Sequence, residues 1–332
     1  MVNTVFIIFF NIIVGTIALI YGVNLLSNGL EKANVNIIKH LLKIFTGNVW
    51  SAFIISTMIT ALIQSSSAVM VITIGFINAG FIKLPQAVGI IYGANIGTTV
   101  TAQLMSLNLT KIAFPSLIIG FICTSIFKSK SSKNIGLVVM GLGLMFLGLK
   151  TLNSSIPYIK NSKEIYNLIS IYNHNPYLCT IIGMIITMLV HSSSATVGLT
   201  VILFNAHLIN LEAAIGLILG DNIGTCITAQ LASLNANIAA KRAAWAHSLY
   251  NVIGAFVALI FFKHYMAIVK YVTFILGQDE SKLIANAHTL FNIFSAILFL
   301  PITNYYVKFI NWIIPEYPII CKKSIKRSKY FR

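Results

Sequence analysis

The chain contains two copies of one sequence, and this duplication constrains its fold more than any other feature. Residues 60–108 align without a gap to residues 187–235, an offset of 127, and 26 of the 49 paired positions are identical. The identities include serine, asparagine, glycine and threonine, so a shared apolar composition does not account for them. We therefore expect two related structural units.

Two polar blocks match best between the copies. The first places Gln64-Ser65-Ser66-Ser67 over His191-Ser192-Ser193-Ser194. The second places Gly93-Ala94-Asn95-Ile96-Gly97-Thr98 over Gly220-Asp221-Asn222-Ile223-Gly224-Thr225. It continues in each copy into a Thr-Ala-Gln-Leu run, which starts at Thr101 and at Thr228. Because both blocks recur while much of the surrounding sequence diverges, they contain the candidate functional residues.

Most of the chain is too apolar for a water-soluble fold. Hydrophobic residues fill 57% of the 332 positions and charged residues only 9%, against about 25% charged in an ordinary soluble domain. A disordered chain would be polar instead. One bilayer crossing takes about 20 apolar residues, so the length allows up to about ten spanning or half-spanning segments. The composition therefore predicts a multi-pass membrane protein.

The basic residues lie at the ends of the apolar segments. The chain has 23 lysines and arginines against 7 acidic residues, a net charge of +16. The densest basic stretches are residues 128–133, 241–242 and 322–332. Short basic loops beside apolar spans mark the cytoplasmic side. We therefore expect these stretches and the C-terminus to face the cytoplasm from the cytoplasmic membrane, and we do not expect nucleic-acid binding.

The first copy reads as a series of apolar segments. We predict a span over 3–26, an amphipathic helix in the membrane interface over 32–45, two short segments over 48–63 and 65–81, and spans over 86–107 and 111–127. The short segments meet at the first Ser run, which favours a re-entrant helical hairpin. Each copy then crosses the membrane an odd number of times, so the second copy is expected to be inverted, as in many secondary transporters.

The predicted fold class is an all-α polytopic membrane protein with two inverted-topology repeats, each with a re-entrant helical hairpin, plus a C-terminal helix. The repeats cover residues 1–130 and 134–265. A C-terminal membrane segment covers 266–314, with its helix at about 283–312 interrupted at Pro301. A basic cytoplasmic tail covers 315–332.

Polar groups at membrane depth are costly unless they are satisfied, so the two blocks need a chemical reason. A Ser run where a broken helix restarts offers hydroxyls, backbone N–H groups and a positive helix-dipole end, which suit an oxyanion. Ser, Thr and Asn oxygens also suit a small cation such as sodium. Helical spacing puts Asn95, Thr98 and Thr101 on one face, and Asn222, Thr225 and Thr228 do the same in the second copy. Small-residue helix packing is the alternative for either block alone.

Four positions stand out against the duplicated background. Asp221 replaces Ala94, and a carboxylate at membrane depth is expected to be a cation ligand or a proton site, with an interfacial cap as the alternative. His191 replaces Gln64 and adds a group that can titrate near neutral pH. An Ala-His-x-x-aromatic-Asn pattern recurs at His247 and His288, and it predicts inter-helix hydrogen bonds rather than substrate contact.

The paired Ser runs, each followed by G-x-N-I-G-T, resemble the type II sodium/phosphate cotransporter family over about residues 5–310. The resemblance implies sodium-driven uptake of inorganic phosphate, with sodium as a co-transported ion, no cofactor and no transition metal. By motif it implies eight substrate-binding residues around phosphate and sodium: Gln64, Ser65, Ser66, Ser67, His191, Ser192, Ser193 and Ser194. It puts Thr225 and Thr228 at one sodium site and Asp221 and Asn95 near another, and Thr98, Thr101 and Asn222 complete the candidate cation-binding set.

The sequence departs from this family at two of these positions. His191 stands where Gln is expected, and Asp221 stands where a small neutral residue is usual. Many bacterial relatives carry a soluble C-terminal domain that resembles phosphate-uptake regulators, where this chain has a basic tail. We therefore expect such regulation to be absent or to come from a separate phosphate-uptake regulator protein.

The sequence thus favours a secondary active transporter that couples sodium to inorganic phosphate by alternating access between two Ser-rich hairpin tips. The alternatives are a proton-coupled or other-anion transporter with His191 and Asp221 as titrating groups, an intramembrane Ser/His enzyme, and a membrane assembly subunit. An enzyme is not expected, because a hydrolase needs one nucleophile with one base and the Ser run is duplicated. The expected partners are phosphate, sodium, membrane lipid and a second copy of the chain in a homodimer.

Overall fold

The computed structural model describes residues 2–34, 47–107 and 109–316. Over these residues every regular element is a helix and no strand occurs. The all-α class predicted from the sequence is therefore confirmed. The predicted interfacial helix over 32–45 and the basic tail over 315–332 lie almost wholly outside the described residues.

The described residues form sixteen α-helices. Those of the first half are α1 (Val2–Ala33), α2 (Val49–Ile63), α3 (Ser66–Asn78), α4 (Leu84–Met105), α5 (Ala113–Ile126) and α6 (Lys130–Asn153). Those that follow are α7 (Ile156–Asn161), α8 (Lys163–Tyr172), α9 (Pro176–Val190), α10 (Ser193–Asn205), α11 (Leu211–Gly224), α12 (Ile227–Ser233), α13 (Ile238–Ile260), α14 (Phe262–Ile275), α15 (Leu283–Phe299) and α16 (Thr303–Ile313).

Five stretches of helix are long and apolar enough to cross a membrane. They are Thr4–Ala33, Lys130–Asn161, Leu211–Ser233, Ile238–Ile260 and Glu280–Phe299. The helices α4 and α5 meet at a bend of 80° and would add a sixth crossing if they form one broken span. The sequence predicts two separate spans there. Helix number, length and composition together make the chain a multi-pass membrane protein.

Four apolar helices are too short to cross the bilayer. The helices α2 and α9 have 15 residues each, and α3 and α10 have 13. At 1.5 Å per residue they reach about 20–23 Å, less than the ~30 Å hydrocarbon core. The two helices of each pair are joined at a Ser run. The segments predicted over 48–63 and 65–81 match α2 and α3 to within three residues.

The helix bounds recur with the offset of the sequence repeat. The helices α9, α10 and α11 begin 127 positions after α2, α3 and α4. One difference stands out: α4 is unbroken, whereas its counterpart is interrupted at Thr225 and Cys226 to give α11 and α12. At the break the Cys226 N–H donates to the Ile223 carbonyl at 3.2 Å. This three-residue hydrogen bond tightens the turn relative to an α-helix.

The first glycine of each second block brings two helices into backbone contact. A Cβ on Gly93 would lie 2.2 Å from the Phe53 carbonyl oxygen of α2, and a Cβ on Gly220 would lie 2.0 Å from the Thr180 carbonyl oxygen of α9. An approach this close excludes any side chain. These glycines therefore hold the first helix of each hairpin against α4 and α11.

The C-terminal region is more divided than the sequence predicts. The predicted interruption at Pro301 is present, because α15 ends at Phe299 and α16 begins at Thr303. Residues 266–314, however, are not one segment, since α14 ends before α15 begins. The helix α14 has two lysines and only 14 residues, so its sequence does not mark it as a separate membrane segment. This helix is amphipathic and buries Phe262, Tyr265, Val269 and Thr273 along one face.

Candidate functional site

Each short helix pair turns at a residue in the left-handed backbone region. Gln64 has a φ of 60° and His191 a φ of 53°. Their N–H groups donate to the carbonyls of Thr60 and Thr187, both at 2.8 Å. A non-glycine residue rarely adopts this conformation, which costs about 1–3 kcal/mol. The same strained turn in both copies ends the first helix and redirects the chain into the second.

The residue after each turn caps the second helix. Ser65 and Ser192 have extended backbones with φ of −144° and −145°. Their hydroxyls accept the N–H of Ala68 at 3.3 Å and of Ala195 at 3.4 Å. A cap of this kind satisfies one N–H of the first turn, and the other first-turn N–H groups have no partner within the helix. Each Ser run therefore forms a helix N-terminus with donors left for a ligand.

The two turns line one cavity of about 150 Å³. All eight residues predicted to bind substrate lie in its wall, together with Thr98 and Thr101 from the second block. The other wall residues are Val23, Asn24, Ser27, Ala102, Val197 and His288. The two Ser runs, which lie 127 positions apart in the sequence, thus face the same space.

The cavity wall is polar and has no negative charge. None of the sixteen residues that line it is acidic, and six of them are the serines of the two runs. The N-termini of α3 and α10 add the positive ends of two helix dipoles. Hydroxyl donors, N–H donors and positive dipole ends together favour a small anion over a cation. The space is large enough for several water molecules or one small oxyanion.

The first turn is held more firmly than the second. The Ser27 hydroxyl donates to the Gln64 carbonyl at 3.0 Å, and the Thr101 hydroxyl donates to Gln64 Oε1 at 2.8 Å. The Gln64 side chain is buried, whereas His191 is exposed. The hydroxyls of Ser192 and Ser194 are 3.0 Å apart. The Gln64 side of the cavity is therefore held by hydrogen bonds to neighbouring helices, and the His191 side is less restrained.

Asp221 lies outside this cavity wall and is completely buried. Its Oδ1 accepts a hydrogen bond from the Thr187 hydroxyl at 2.9 Å, and the hydroxyls of Thr187 and Thr196 are 2.8 Å apart. Its Oδ2 has no hydrogen-bond partner among the described residues. A buried carboxylate oxygen without a partner is unfavourable, and a further ligand such as a cation would stabilise it.

Asn95, another candidate cation residue, belongs to an inter-helix cluster. Its Nδ2 donates to Asn251 Oδ1 at 3.1 Å, and its Oδ1 is 3.4 Å from His247 Nε2. Asn251 also donates to Cys226 Sγ at 3.1 Å. This cluster joins α4, α13 and the break between α11 and α12. The inter-helix hydrogen bonding predicted at His247 is therefore present.

The remaining candidate cation residues bond within their own helical segment. The side chain of Asn222 donates to the Ile218 carbonyl at 2.8 Å. The hydroxyls of Thr225 and Thr228 donate to the carbonyls of Asp221 and Thr225 at 2.9 and 3.0 Å. The seven predicted cation residues thus lie in separate groups across the described chain, and only Thr98 and Thr101 reach the cavity.

Three polar wall residues were not predicted to bind substrate or a cation. Asn24 and Ser27 come from α1, where the repeat is weak and no motif marks them. His288 was expected to make inter-helix hydrogen bonds rather than contact substrate, but it lines the cavity, and its buried Nδ1 has no partner among the described residues. The His247 ring, by contrast, contacts Asn95 and does not line the cavity.

Fold and site together define a class: a multi-pass membrane protein with a polar cavity lined by two Ser runs. The comparison with known families agrees with this class. The sequence profile of the Na+/Pi-cotransporter family matches residues 18–154 and 160–278. The chain therefore belongs to the Na+/Pi-cotransporter family, which is a family of phosphate transporters.

Similar proteins come from bacteria and from animals. The chain is 33% identical over 243 residues to "Uncharacterized protein YqeW" of Bacillus subtilis, covering 72% of this chain and 78% of that protein. It is 30% identical over 210 residues to "Putative inorganic phosphate export protein YjbB" of Salmonella typhimurium, covering 63% of this chain and 39% of that protein.

The human relative matches a shorter part of the chain. "Sodium-dependent phosphate transport protein 2B" of Homo sapiens is 33% identical over 107 residues, which are 31% of this chain and 15% of that protein. The chain thus spans less than half the length of YjbB and of the human protein. None of the solved structures matches the chain.

Proposed function

We propose that this protein carries inorganic phosphate across the cytoplasmic membrane together with sodium, and that phosphate is held between the two Ser runs. The observation that carries the proposal is the single cavity lined by Ser65–Ser67 and Ser192–Ser194. Phosphate is a tetrahedral oxyanion with four acceptor oxygens. Donors that approach it from two opposed helix N-termini can bond to several of these oxygens at once.

The chemistry of the wall supports an anion as the bound species. With no acidic side chain in the wall, phosphate meets no charge repulsion there. Serine hydroxyls donate to the anion without bringing a fixed positive charge. Binding of this kind is reversible, as release on the far side requires.

The positions at which the two hairpins end along α4 support alternating access. The helix α3 ends at Asn78, shortly before α4 begins at Leu84. The helix α10 ends at Asn205, which lines a cavity with Met105 and Ser106 at the other end of α4. The two hairpins thus have their bases near opposite ends of α4, which supports the proposal of inverted repeats. Rocking of one repeat against the other would expose the Ser runs to each side in turn.

Sodium is proposed to bind at oxygen-rich positions beside the cavity. The Thr101 hydroxyl and Gln64 Oε1 form one such position in the wall. The Asp221 carboxylate, with the hydroxyls of Thr187 and Thr196, forms a second oxygen-rich position outside the cavity wall. Oxygen ligands of this type suit a hard cation. A sodium ion near the cavity would also offset the negative charge of phosphate at membrane depth.

The orientation follows from the distribution of basic residues. Arg242 Nε donates to the Ile314 carbonyl at 2.9 Å, so the basic pair 241–242 lies beside the start of the basic tail. The positive-inside rule places this end of the helices in the cytoplasm. The predicted homodimer and separate regulator protein stay predictions, to be tested by the mass of the purified protein and by co-purification.

Proton coupling is the second candidate, and one observation favours it. His191 replaces the amide of the first copy and is exposed at the cavity, and an imidazole, unlike an amide, can carry a proton. In that case a pH gradient rather than a sodium gradient would drive phosphate movement.

Single replacements of two equivalent serines test the shared anion site. Ser66→Ala and Ser193→Ala each remove one hydroxyl from the same cavity, so both should weaken phosphate binding about tenfold, the loss of one hydrogen bond to a charged group. The measurement is the concentration dependence of labelled phosphate transport by each variant. An enzyme nucleophile would give a different result, in which one serine abolishes activity and the other is dispensable.

A further inference from the structure

We infer that the protein has a second anion site, an outer vestibule beside Lys150, and that an apolar gate separates it from the Ser-lined cavity. This inference rests on the proposed function, because it assigns a route to the phosphate that the inner cavity holds. The ligand class is a small oxyanion, with inorganic phosphate as the probe.

The vestibule is a cavity of about 440 Å³ at the C-terminal ends of α4, α6 and α10. Its polar wall residues are Ser106, Thr110, Lys150, Asn153 and Asn205. None of the described residues that line it is acidic. Like the inner cavity, it therefore offers hydrogen-bond donors to an anion, and it adds a full positive charge.

The vestibule continues the inner cavity along two helices. On α4 the inner wall includes Ala102, and the vestibule wall includes Met105, one turn later. On α10 the inner wall includes Val197 and the vestibule wall includes Val201, again one turn later. One helical turn rises about 5.4 Å, so the two cavities follow each other closely along the same pair of helices.

An apolar contact fills the space between the two cavities. A Cβ on Gly198 of α10 would lie 2.8 Å from Leu19 Cδ2, 3.2 Å from Leu149 Cδ2 and 3.5 Å from Met105 Sδ. Leu19, Leu149 and Met105 are buried and come from α1, α6 and α4. These side chains offer no hydrogen bond to an anion or to water. Their convergence on Gly198 therefore closes the route in this conformation.

The positive charge at the vestibule is not neutralised by a neighbouring carboxylate. Lys150 Nζ lies 5.3 Å from the centre of the Phe114 ring, and the one ion pair among the described residues joins His174 and Glu212. Lys282 Nζ donates to Ser106 Oγ at 3.0 Å. Its positive charge, unlike that of Lys150, has a Coulombic interaction with a carboxylate, that of Asp279. Lys150 is therefore the residue to test. An unpaired cation at the mouth of a polar cavity raises the local concentration of anions.

The gate lies on the side of the less restrained hairpin tip. Gly198 belongs to α10, one turn beyond the Ser192–Ser194 run, whereas the Gln64 turn is fixed by Ser27 and Thr101. A displacement of α10 away from α1, α4 and α6 would open the contact and join the two cavities. Phosphate would then pass directly from the vestibule beside Lys150 to the Ser runs.

A charge replacement tests the vestibule. Lys150→Gln is compared with Lys150→Arg and with Lys263→Gln, an exposed lysine of α14 outside the vestibule. Phosphate exchange is measured in proteoliposomes at fixed sodium and varied ionic strength. We expect Lys150→Gln to raise KM for phosphate about three- to tenfold at low ionic strength, with kcat unchanged, and the difference to shrink at high ionic strength. Lys150→Arg and Lys263→Gln should keep the wild-type KM.

Three outcomes separate this inference from the proposed function. Equal KM values for Lys150→Gln and Lys263→Gln would overturn the vestibule. A wild-type KM that does not respond to ionic strength would also overturn it, whether or not Lys150→Gln assembles. A wild type that exchanges no phosphate at all would instead reject the proposed function.

A truncation tests the gate with a control on the same helix. Leu149→Ala removes part of the apolar contact, whereas Leu152→Ala removes an equally buried leucine of α6 that lines neither cavity. We expect Leu149→Ala to allow phosphate to leak without sodium several-fold faster than Leu152→Ala does. Equal leak rates in the two variants would overturn the gate.

Discussion

At the residue scale, Asp221 is where the two copies differ most in chemistry. Its counterpart Ala94 is part of an otherwise matching block. The Asp221 carboxylate is completely buried, accepts one hydrogen bond from Thr187 and has one oxygen without a partner in the described chain. A sodium ion at the free oxygen would satisfy it and balance its charge.

Replacing the charge of Asp221 should change the response to sodium more than the affinity for phosphate. Asp221→Asn keeps an oxygen for Thr187 but loses the carboxylate. We expect the sodium concentration for half-maximal transport to rise about tenfold or more, the worth of one interaction with a charged group. Glu212→Gln, an acid at the first turn of the same helix, is the control. An unchanged sodium response in Asp221→Asn would contradict a cation site there.

The sequence predicts a residue of the site only where a recurring motif contains that residue. The Ser runs and Thr101 were candidates because they recur at a fixed offset. Asn24 and Ser27 were not, since they reach the cavity from α1, whose sequence carries no matching block. Their position depends on how α1 packs against α6, and the sequence of a single helix does not contain that information.

At the element scale, the short helix pairs depend on close backbone contacts at glycines, and the closest in each copy is at the first glycine of the second block. Gly93 and Gly220 allow backbone contact between the first hairpin helix and α4 or α11. The hairpin bounds were predictable because a polar run interrupts two short apolar segments. The break between α11 and α12 was not, since the sequences Gly-Thr-Thr and Gly-Thr-Cys are nearly the same in the two copies. That break instead coincides with the contacts of Cys226 with Asn251 and with the carbonyl of His247.

A methyl group at either glycine should loosen its hairpin. Gly93→Ala and Gly220→Ala would place a Cβ within 2.2 and 2.0 Å of a carbonyl oxygen, and such overpacking typically costs about 1–3 kcal/mol. We expect both to lower the unfolding temperature of the purified protein in detergent. Gly75→Ala on α3 is the matched control, because nothing lies within 4 Å of its Cβ. Equal unfolding temperatures in the three variants would contradict this role.

At the scale of the whole molecule, the proposed transport depends on two hairpins that bring equivalent Ser runs to one cavity from opposite ends of α4. The duplicated sequence and the odd count of crossings predict such an inversion. They do not predict that the two halves differ in conformation. The firmly held Gln64 turn, the exposed His191 turn and the vestibule beside α10 are all products of tertiary packing. This asymmetry is what a transporter caught in one state of its cycle would have.

The most direct test of sodium-coupled phosphate transport is labelled phosphate uptake by proteoliposomes that contain the purified protein. An inward sodium gradient is compared with a matched potassium gradient, and sulfate is added as a competitor. We predict that phosphate accumulates only with sodium and that sulfate does not compete. Accumulation driven by an imposed pH gradient and indifferent to sodium would contradict sodium coupling and favour proton coupling through His191. Absence of phosphate uptake under either gradient would contradict phosphate as the substrate.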